Sequence, residues 1–178
     1  MAEMKVEIPW ERYGTITYLA QNVRIFGKTA LQKFVYFLQE WKKVPLGYRF
    51  ELYTYGPFSA ALMNDLDYTD ALGAVKVDYI LNGGYSISAG NESEAILARA
   101  QAFLDRHQTD IDEVIAVFGR CSAVQLELKA TIHLVSQESD RPTDEAVVQA
   151  VQALKPGKFT DVQIQRAIED LREHHVID

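Results

Sequence analysis

Residues 27–62, GKTALQKFVYFLQEWKKVPLGYRFELYTYGPFSAAL, carry the signals that decide the fold. Apolar residues recur at helical intervals early in this stretch and predict a helix with one broad apolar face. These residues are Leu31, Phe34, Val35, Leu38 and Trp41. Thr29 and Gln32 have the spacing of a capping box at the helix start, and Pro45 with Gly47 predicts the helix end.

A strand and a sharp turn are expected to follow this helix. Residues 49–55 alternate apolar and polar and are rich in aromatic residues, as strands are. Tyr55, Gly56 and Pro57 are then predicted to turn the chain into the next helix, with Gly56 beside the helix cap and Pro57 in the first turn. We interpret this tripeptide as a structural motif and assign it no catalytic role.

On these motifs the chain resembles the YwgA-like family of uncharacterised prokaryotic proteins and, more remotely, the Panacea antitoxin domain. The matching positions are Gly27, Lys28, Leu31, Gln32, Lys33, Tyr36, Tyr55, Gly56, Pro57 and Ser59. Residues 126–135, LELKATIHLV, and residues 154–159, LKPGKF, also look like YwgA-like features. The resemblance implies a winged-helix core without an established catalytic role. By analogy, the antitoxin-type domain suggests a function in genome defence or toxin neutralisation.

The order of predicted elements in the first half is typical of a winged helix. A first helix over residues 9–22 precedes the helix and strand just described, and a third helix is predicted over residues 57–72. Alternating runs on both sides of Asn82-Gly83-Gly84 then predict a β-hairpin, which would be the wing.

Helices are expected throughout the second half, over residues 92–107, 110–119, 122–137, 143–154 and 161–174. Cap spacings at Asn91, Thr109, Ser122 and Thr160 support their starts. The sequence therefore predicts a mostly helical α+β fold, with a winged-helix-like domain over residues 1–90 packed on an α-helical domain over residues 91–178.

Composition narrows the classes of protein and of partner. The chain has 178 residues, 48% of them hydrophobic, and a formal net charge of −7. No apolar run approaches the ~20 residues that span a membrane, and the charged residues 1–14 have no signal-peptide core. Cys121 has no second cysteine to pair with, which favours a reducing cytoplasm.

Several motifs match only part of the pattern of a known catalytic or ligand-binding site. Gly27-Lys28-Thr29 matches the end of a phosphate-binding loop, but Asn22 stands where that loop needs glycine. Residues 65–70 alternate carboxylates without the glycine and closing glutamate of a calcium loop. Adjacent His174 and His175 point about 100° apart on a helix and chelate one ion poorly. We therefore assign no catalytic residue, no metal and no cofactor.

Isolated histidines and the cysteine favour structural interpretations. His107 and His133 each stand alone and are expected on helix surfaces or at helix ends. Cys121 lies on an apolar stripe and is expected to be an inert buried thiol.

A basic cluster is the best candidate for binding. The segment from Arg24 to Phe50 has six cations against Glu40 alone, with tyrosines between them. The candidate anion- or partner-binding residues are Arg24, Lys28, Gln32, Lys33, Tyr36, Lys42, Lys43 and Arg49. Either this is a binding surface or it is the solvated face of the second helix, because charge runs alone specify little.

Binding to DNA by the usual winged-helix route is disfavoured. The third helix, which normally enters the major groove, has no Lys or Arg and carries Asp65, Asp67 and Asp70. These acids would lie against phosphates at an electrostatic cost. The sequence thus favours a non-enzymatic regulatory or interaction module that binds a protein partner and is compatible with a homo-oligomer. The alternatives are a winged-helix transcriptional regulator that binds DNA and an enzyme of unrecognised type.

Overall fold

The computed structural model describes residues 7–24 and 26–178 and contains eight helices and four short strands over them. The helices are α1 (Trp10–Asn22), α2 (Lys28–Glu40), α3 (Ala60–Ala71), α4 (Ser93–Arg99), α5 (Gln101–Phe118), α6 (Ala123–Ser136), α7 (Asp144–Leu154) and α8 (Asp161–Glu173). The strands are β1 (Glu51–Tyr53), β2 (Gly56–Phe58), β3 (Val75–Tyr79) and β4 (Tyr85–Ala89). This architecture confirms the mostly helical α+β class.

α2 is the central helix of the fold. Every residue from Ala30 to Leu38 is buried, because apolar side chains cover α2 on all sides rather than along one stripe. The helix packs on α5 and α6, and the Phe37 ring stacks on Phe118 with centroids 4.0 Å apart. A single hydrophobic core contains residues from both sides of residue 90. The division into two domains at that residue stays a prediction.

The predicted helix starts at Ser122 and Thr160 are confirmed. Each forms a complete capping box, with Gln125 and Gln163 respectively. α8 packs on α6 and α7 through its buried apolar face. The largest of its buried residues are Ile164, Ile168 and Leu171. The C-terminal helix is therefore part of the core.

The predicted caps at Asn91 and Thr109 are wrong, although a helix does begin within one residue of position 92. Residues 101–118 form the continuous helix α5, so Thr109 lies in a helix interior, where its amide already has a backbone partner. The preceding helix α4 begins after Glu92, and no side chain, including that of Asn91, caps it. The chain bends at Ala100 instead of near residue 108.

The Tyr55-Gly56-Pro57 turn belongs to a β-hairpin rather than to a helix start. Leu52 pairs with Pro57, and Tyr53 pairs with Gly56, so β1 is shorter than the predicted strand 49–55. α3 begins three residues later than predicted, and the Ser59 hydroxyl caps it by accepting from the Leu62 amide. Pro57 is therefore not in a helical turn.

The predicted hairpin after α3 is confirmed, with β3 and β4 paired from Val75–Ala89 to Tyr79–Tyr85. β1 and β2 form a separate sheet. The Ile87 amide also donates to the Phe26 carbonyl at 2.7 Å, so the segment before α2 lies beside β4. The winged-helix arrangement stays a prediction.

Among the described residues, every helix is too short or too polar to cross a membrane. The prediction that the N-terminus is no signal peptide rests partly on residues 1–6, which lie outside the described residues.

Candidate functional site

The turn between β1 and β2 requires a glycine at position 56. Gly56 has φ +85°, a left-handed conformation that side chains resist. A Cβ there would lie 3.2 Å from Thr131 Oγ1 and 3.4 Å from Lys33 Cε. The turn therefore lies directly on α2 and α6, with no room for a side chain between them.

Lys33 lies beneath this turn. The residue is only 2% exposed, and its ammonium donates to the Pro57 carbonyl at 2.8 Å. Burial lowers the pKa of Lys33 to about 8, an effect that Glu127 opposes and Lys155 reinforces. A lysine predicted to face solvent is thus an interior support of the turn.

Gln32 supports the same region and does not cap α2. Its side chain donates to the Ser59 carbonyl at 2.9 Å and accepts from the Ser59 amide at 2.8 Å. The helix begins after Gly27 with no side-chain cap, so the predicted capping box at Thr29 is wrong. The reason is that Gln32 points inward, to the backbone that leads into α3.

The buried carboxylate of Glu127 forms ion pairs with two lysines near the turn. Glu127 is 2% exposed and contacts Lys155 Nζ at 3.0 Å and Lys158 Nζ at 2.8 Å. Lys155 also donates to the Thr54 carbonyl in the turn. We call Lys33, Glu127, Lys155 and Lys158 the lysine cluster. The cluster contains three ammonium groups and one carboxylate, which contacts Lys155 and Lys158, so its formal charge is +2.

The functional interpretation of the sequence missed Glu127, Lys155 and Lys158. They come from residues 126–135 and 154–159, the two later segments that look like YwgA-like features. The resemblance marked these segments, but no local pattern indicated that they meet the Tyr55-Gly56-Pro57 turn, which is about 70–100 residues away in sequence.

A pocket of about 180 Å³ opens between the start of α2 and the β1–β2 hairpin. Tyr53, Phe58 and Met63 supply much of its apolar wall, and the basic residues Lys28 and Lys33 also line it. Its described lining contains no Asp or Glu.

Four exposed tyrosines lie at this pocket or on the neighbouring β3–β4 hairpin. Tyr53 and Tyr55, 66% and 57% exposed, line it directly. Lys28 also lines it and places its ammonium 3.9 Å from the centroid of the Tyr85 ring. The Tyr85 ring also lies 5.7 Å from the ring of Tyr79 in the same hairpin, so Lys28 is the residue that links the β3–β4 hairpin to the pocket beside the β1–β2 hairpin. We call Tyr53, Tyr55, Tyr79 and Tyr85 the tyrosine surface.

The predicted basic cluster is not one solvated face. Gln32, Lys33 and Tyr36 are buried, because α2 is enclosed on all sides. The Tyr36 hydroxyl bonds to Nδ1 of His133 at 2.8 Å, and burial raises the pKa of Tyr36. His133 is 2% exposed, so its predicted place on a helix surface or end is wrong.

The remaining cations of that cluster are dispersed. Lys42 pairs with Glu113 of α5, and Arg49 is exposed beside Glu51. Lys43 donates to the Glu40 carbonyl, and Arg24 is exposed. Of the predicted binding residues, the structure brings together Lys28, Gln32 and Lys33 at the pocket. A binding role for the set stays a prediction.

Asp65 is not one of the exposed acids of α3. It is 7% exposed, accepts from the Tyr48 hydroxyl at 2.7 Å and lies 3.6 Å from an Arg12 guanidinium nitrogen. Its charge is therefore compensated inside the fold, whereas Asp67 and Asp70 remain exposed.

Cys121 is half-buried, with its sulfur 3.3 Å from Lys129 Nζ, rather than fully enclosed. In the part of the chain that the structure describes, no three potential metal ligands of the His, Cys, Asp or Glu type come together. The geometry provides apolar walls, exposed aromatic rings and ammonium groups, which are suited to binding.

Comparison with known proteins does not identify a relative. No protein-family model matches this chain, and no curated protein is significantly similar to it. The resemblance to the YwgA-like family stays a prediction.

Proposed function

We propose that this chain is a non-enzymatic interaction module that binds a protein partner through the tyrosine surface. The observation that carries the proposal is that exposed tyrosines of two separate hairpins lie on either side of one residue, Lys28. Its four tyrosines are 42–67% exposed, so a bound partner could cover a large area of their rings. Tyrosine is enriched at the centres of protein interfaces because it combines a large apolar ring with a hydrogen-bonding hydroxyl.

Charge around the surface favours a partner segment that carries carboxylates. The ammonium of Lys28 lies over the Tyr85 ring, and that of Lys158 lies 5.1 Å from the centroid of the Tyr55 ring. Lys158 already pairs with Glu127, whereas Lys28 is held beside its ring, where it can pair with an acidic side chain of a partner. Such complementarity raises association rates and excludes wrong partners.

The experiment compares three tagged proteins purified from the native host, with bound proteins identified by mass spectrometry. The double variant Tyr53→Ser/Tyr79→Ser removes one ring from each hairpin. We expect the wild type to retain one stoichiometric protein and the double variant to lose at least about 90% of it. Truncation of two hot-spot tyrosines commonly costs more than ~1 kcal/mol each.

Val162→Ser provides the matched control, because Val162 is 55% exposed on α8 and lies outside the tyrosine surface. This variant should retain the partner. Circular dichroism must show that all three proteins are folded. Recovery of the same partner with the double variant would contradict the proposal, as would recovery of specific DNA in place of a protein.

A winged-helix DNA-binding regulator is the second candidate. Two observations favour it: the β3–β4 hairpin follows α3, and the Phe26 carbonyl pairs with Ile87 of that hairpin. Against it, α3 has no basic residue and exposes Asp67 and Asp70. Any DNA binding should therefore be weak and steeply dependent on salt. A fluorescence anisotropy titration at low and physiological salt would measure that dependence.

A further inference from the structure

The pocket between α2 and the β1–β2 hairpin is large enough for a small ligand. Its volume of about 180 Å³ is close to the ~150 Å³ of an apolar protein cavity that holds benzene. The tyrosine and phenylalanine rings and the Met63 thioether suit an apolar body of this size.

The charged residues that line this pocket are positive. Lys28 and Lys33 line it, and no carboxylate is among its described lining residues. The Lys33 ammonium has three hydrogens, and the contact described for it is to the uncharged Pro57 carbonyl. Glu127, the acid of the lysine cluster, is engaged by Lys155 and Lys158. A buried ammonium next to a neutral acceptor still favours a nearby anion.

We propose that this pocket binds a carboxylate carried by a compact apolar body. The carboxylate pairs with Lys33, and the apolar body lies against Tyr53, Phe58 and Met63. A free organic acid and the C-terminal residue of a protein chain both have this chemistry. The proposal does not depend on the protein partner, because the pocket and its charge belong to this chain alone.

The first test uses the wild-type protein and two probes of the same shape. 3-Phenylpropionate carries the carboxylate, and 3-phenylpropionamide replaces it with a neutral amide. We expect saturable binding of the acid in a calorimetric or NMR titration, with the amide at least about tenfold weaker, as for loss of a hydrogen bond to a charged group. Equal binding of the two probes would overturn the proposal.

A second pair of probes distinguishes the sources of the carboxylate. These are one tetrapeptide that ends in phenylalanine, prepared with a free and with an amidated C-terminus. Binding of the free peptide alone supports a protein C-terminus as the source, and binding of 3-phenylpropionate alone supports a small organic acid. Absence of binding by both carboxylates at millimolar concentration would refute the proposal.

Variants then place the binding in this pocket. Lys33→Met removes the ammonium and should weaken binding of the carboxylate probe at least about tenfold. Met63→Trp keeps Lys33 but fills the pocket and should prevent binding. This variant tests the location of the site even if Lys33→Met fails to fold. Lys76→Gln changes an exposed lysine on β3 and should bind as the wild type does. Unchanged affinity in Met63→Trp would show that the carboxylate binds elsewhere.

Discussion

Substitution of Gly56 by alanine tests whether the turn is pressed onto α2 and α6. Gly56 has φ +85°, and a left-handed conformation costs an alanine about 1–2 kcal/mol. The new Cβ would also lie 3.2 Å from Thr131 Oγ1, a tight contact that requires the threonine to move by a few tenths of an ångström. Overpacking of this kind adds about 1–3 kcal/mol. We expect Gly56→Ala to lower the free energy of unfolding by about 2–5 kcal/mol.

Gly83 supplies a matched control for the backbone contribution. It has φ +87°, and a Cβ added there would meet no heavy atom within 4 Å, so Gly83→Ala should cost only about 1–2 kcal/mol. Urea denaturation followed by circular dichroism measures both values. The excess cost of Gly56→Ala should shrink in a Thr131→Ala background, because the closest contact is then absent. Equal costs for the two glycines would refute the packing argument.

Three further predictions concern the interior. Burial lowers the pKa of His133 to about 4; the unfolded histidine binds a proton near pH 6.5, so acid favours unfolding. Between pH 7 and 4.5 the wild type should lose about 2 kcal/mol more stability than His133→Gln in urea denaturation, and equal losses would contradict this. Glu127→Met leaves Lys155 buried without its carboxylate and should lower the free energy of unfolding by about 3–5 kcal/mol. The control Glu113→Gln, at an exposed ion pair, should lower it by less than ~1 kcal/mol. Truncation after Phe159 removes the buried face of α8 and should abolish the cooperative thermal transition, whereas an unchanged transition would show that α8 is not part of the core.

Local signals predicted the elements whose geometry is determined locally. Gly83 and Gly84, at the end of the loop between β3 and β4, both have the positive φ that glycine adopts readily, so this hairpin could be predicted from local sequence. Ser122 and Thr160 became caps because the backbone at each of them is extended, outside the helix that follows. Thr109 has the same spacing in sequence, but the preceding residues continue as a helix that buries Leu104 and Ile111. Tertiary packing therefore decided between identical local patterns.

The site could not be predicted in the same way, because distant segments determine it. Lys33 was assigned to the solvated side of α2 by residue type. One sequence signal did argue against a single buried stripe: residues 34–38, FVYFL, are apolar without interruption and cover α2 on all sides. That signal predicts enclosure of the helix, but Glu127 and Lys155, the charged neighbours of Lys33, are about 95 and 120 positions away.

The lysine cluster is a costly way to support a turn. Burial of charged groups is commonly no more stabilising than apolar packing of the same volume, although removal of one partner is strongly destabilising. The cluster does provide directional hydrogen bonds. Lys33 donates to the Pro57 carbonyl and Lys155 donates to the Thr54 carbonyl, on the two sides of Gly56. Apolar side chains could fill this space but could not hold two carbonyls in one orientation. The cluster therefore fixes the hairpin that presents Tyr53 and Tyr55. A double variant Glu127→Met/Lys155→Met should recover part of the stability lost by Glu127→Met alone, yet bind the protein partner less tightly than the wild type. Full stability with unchanged partner affinity would show that orientation of this turn is not what the buried charges provide.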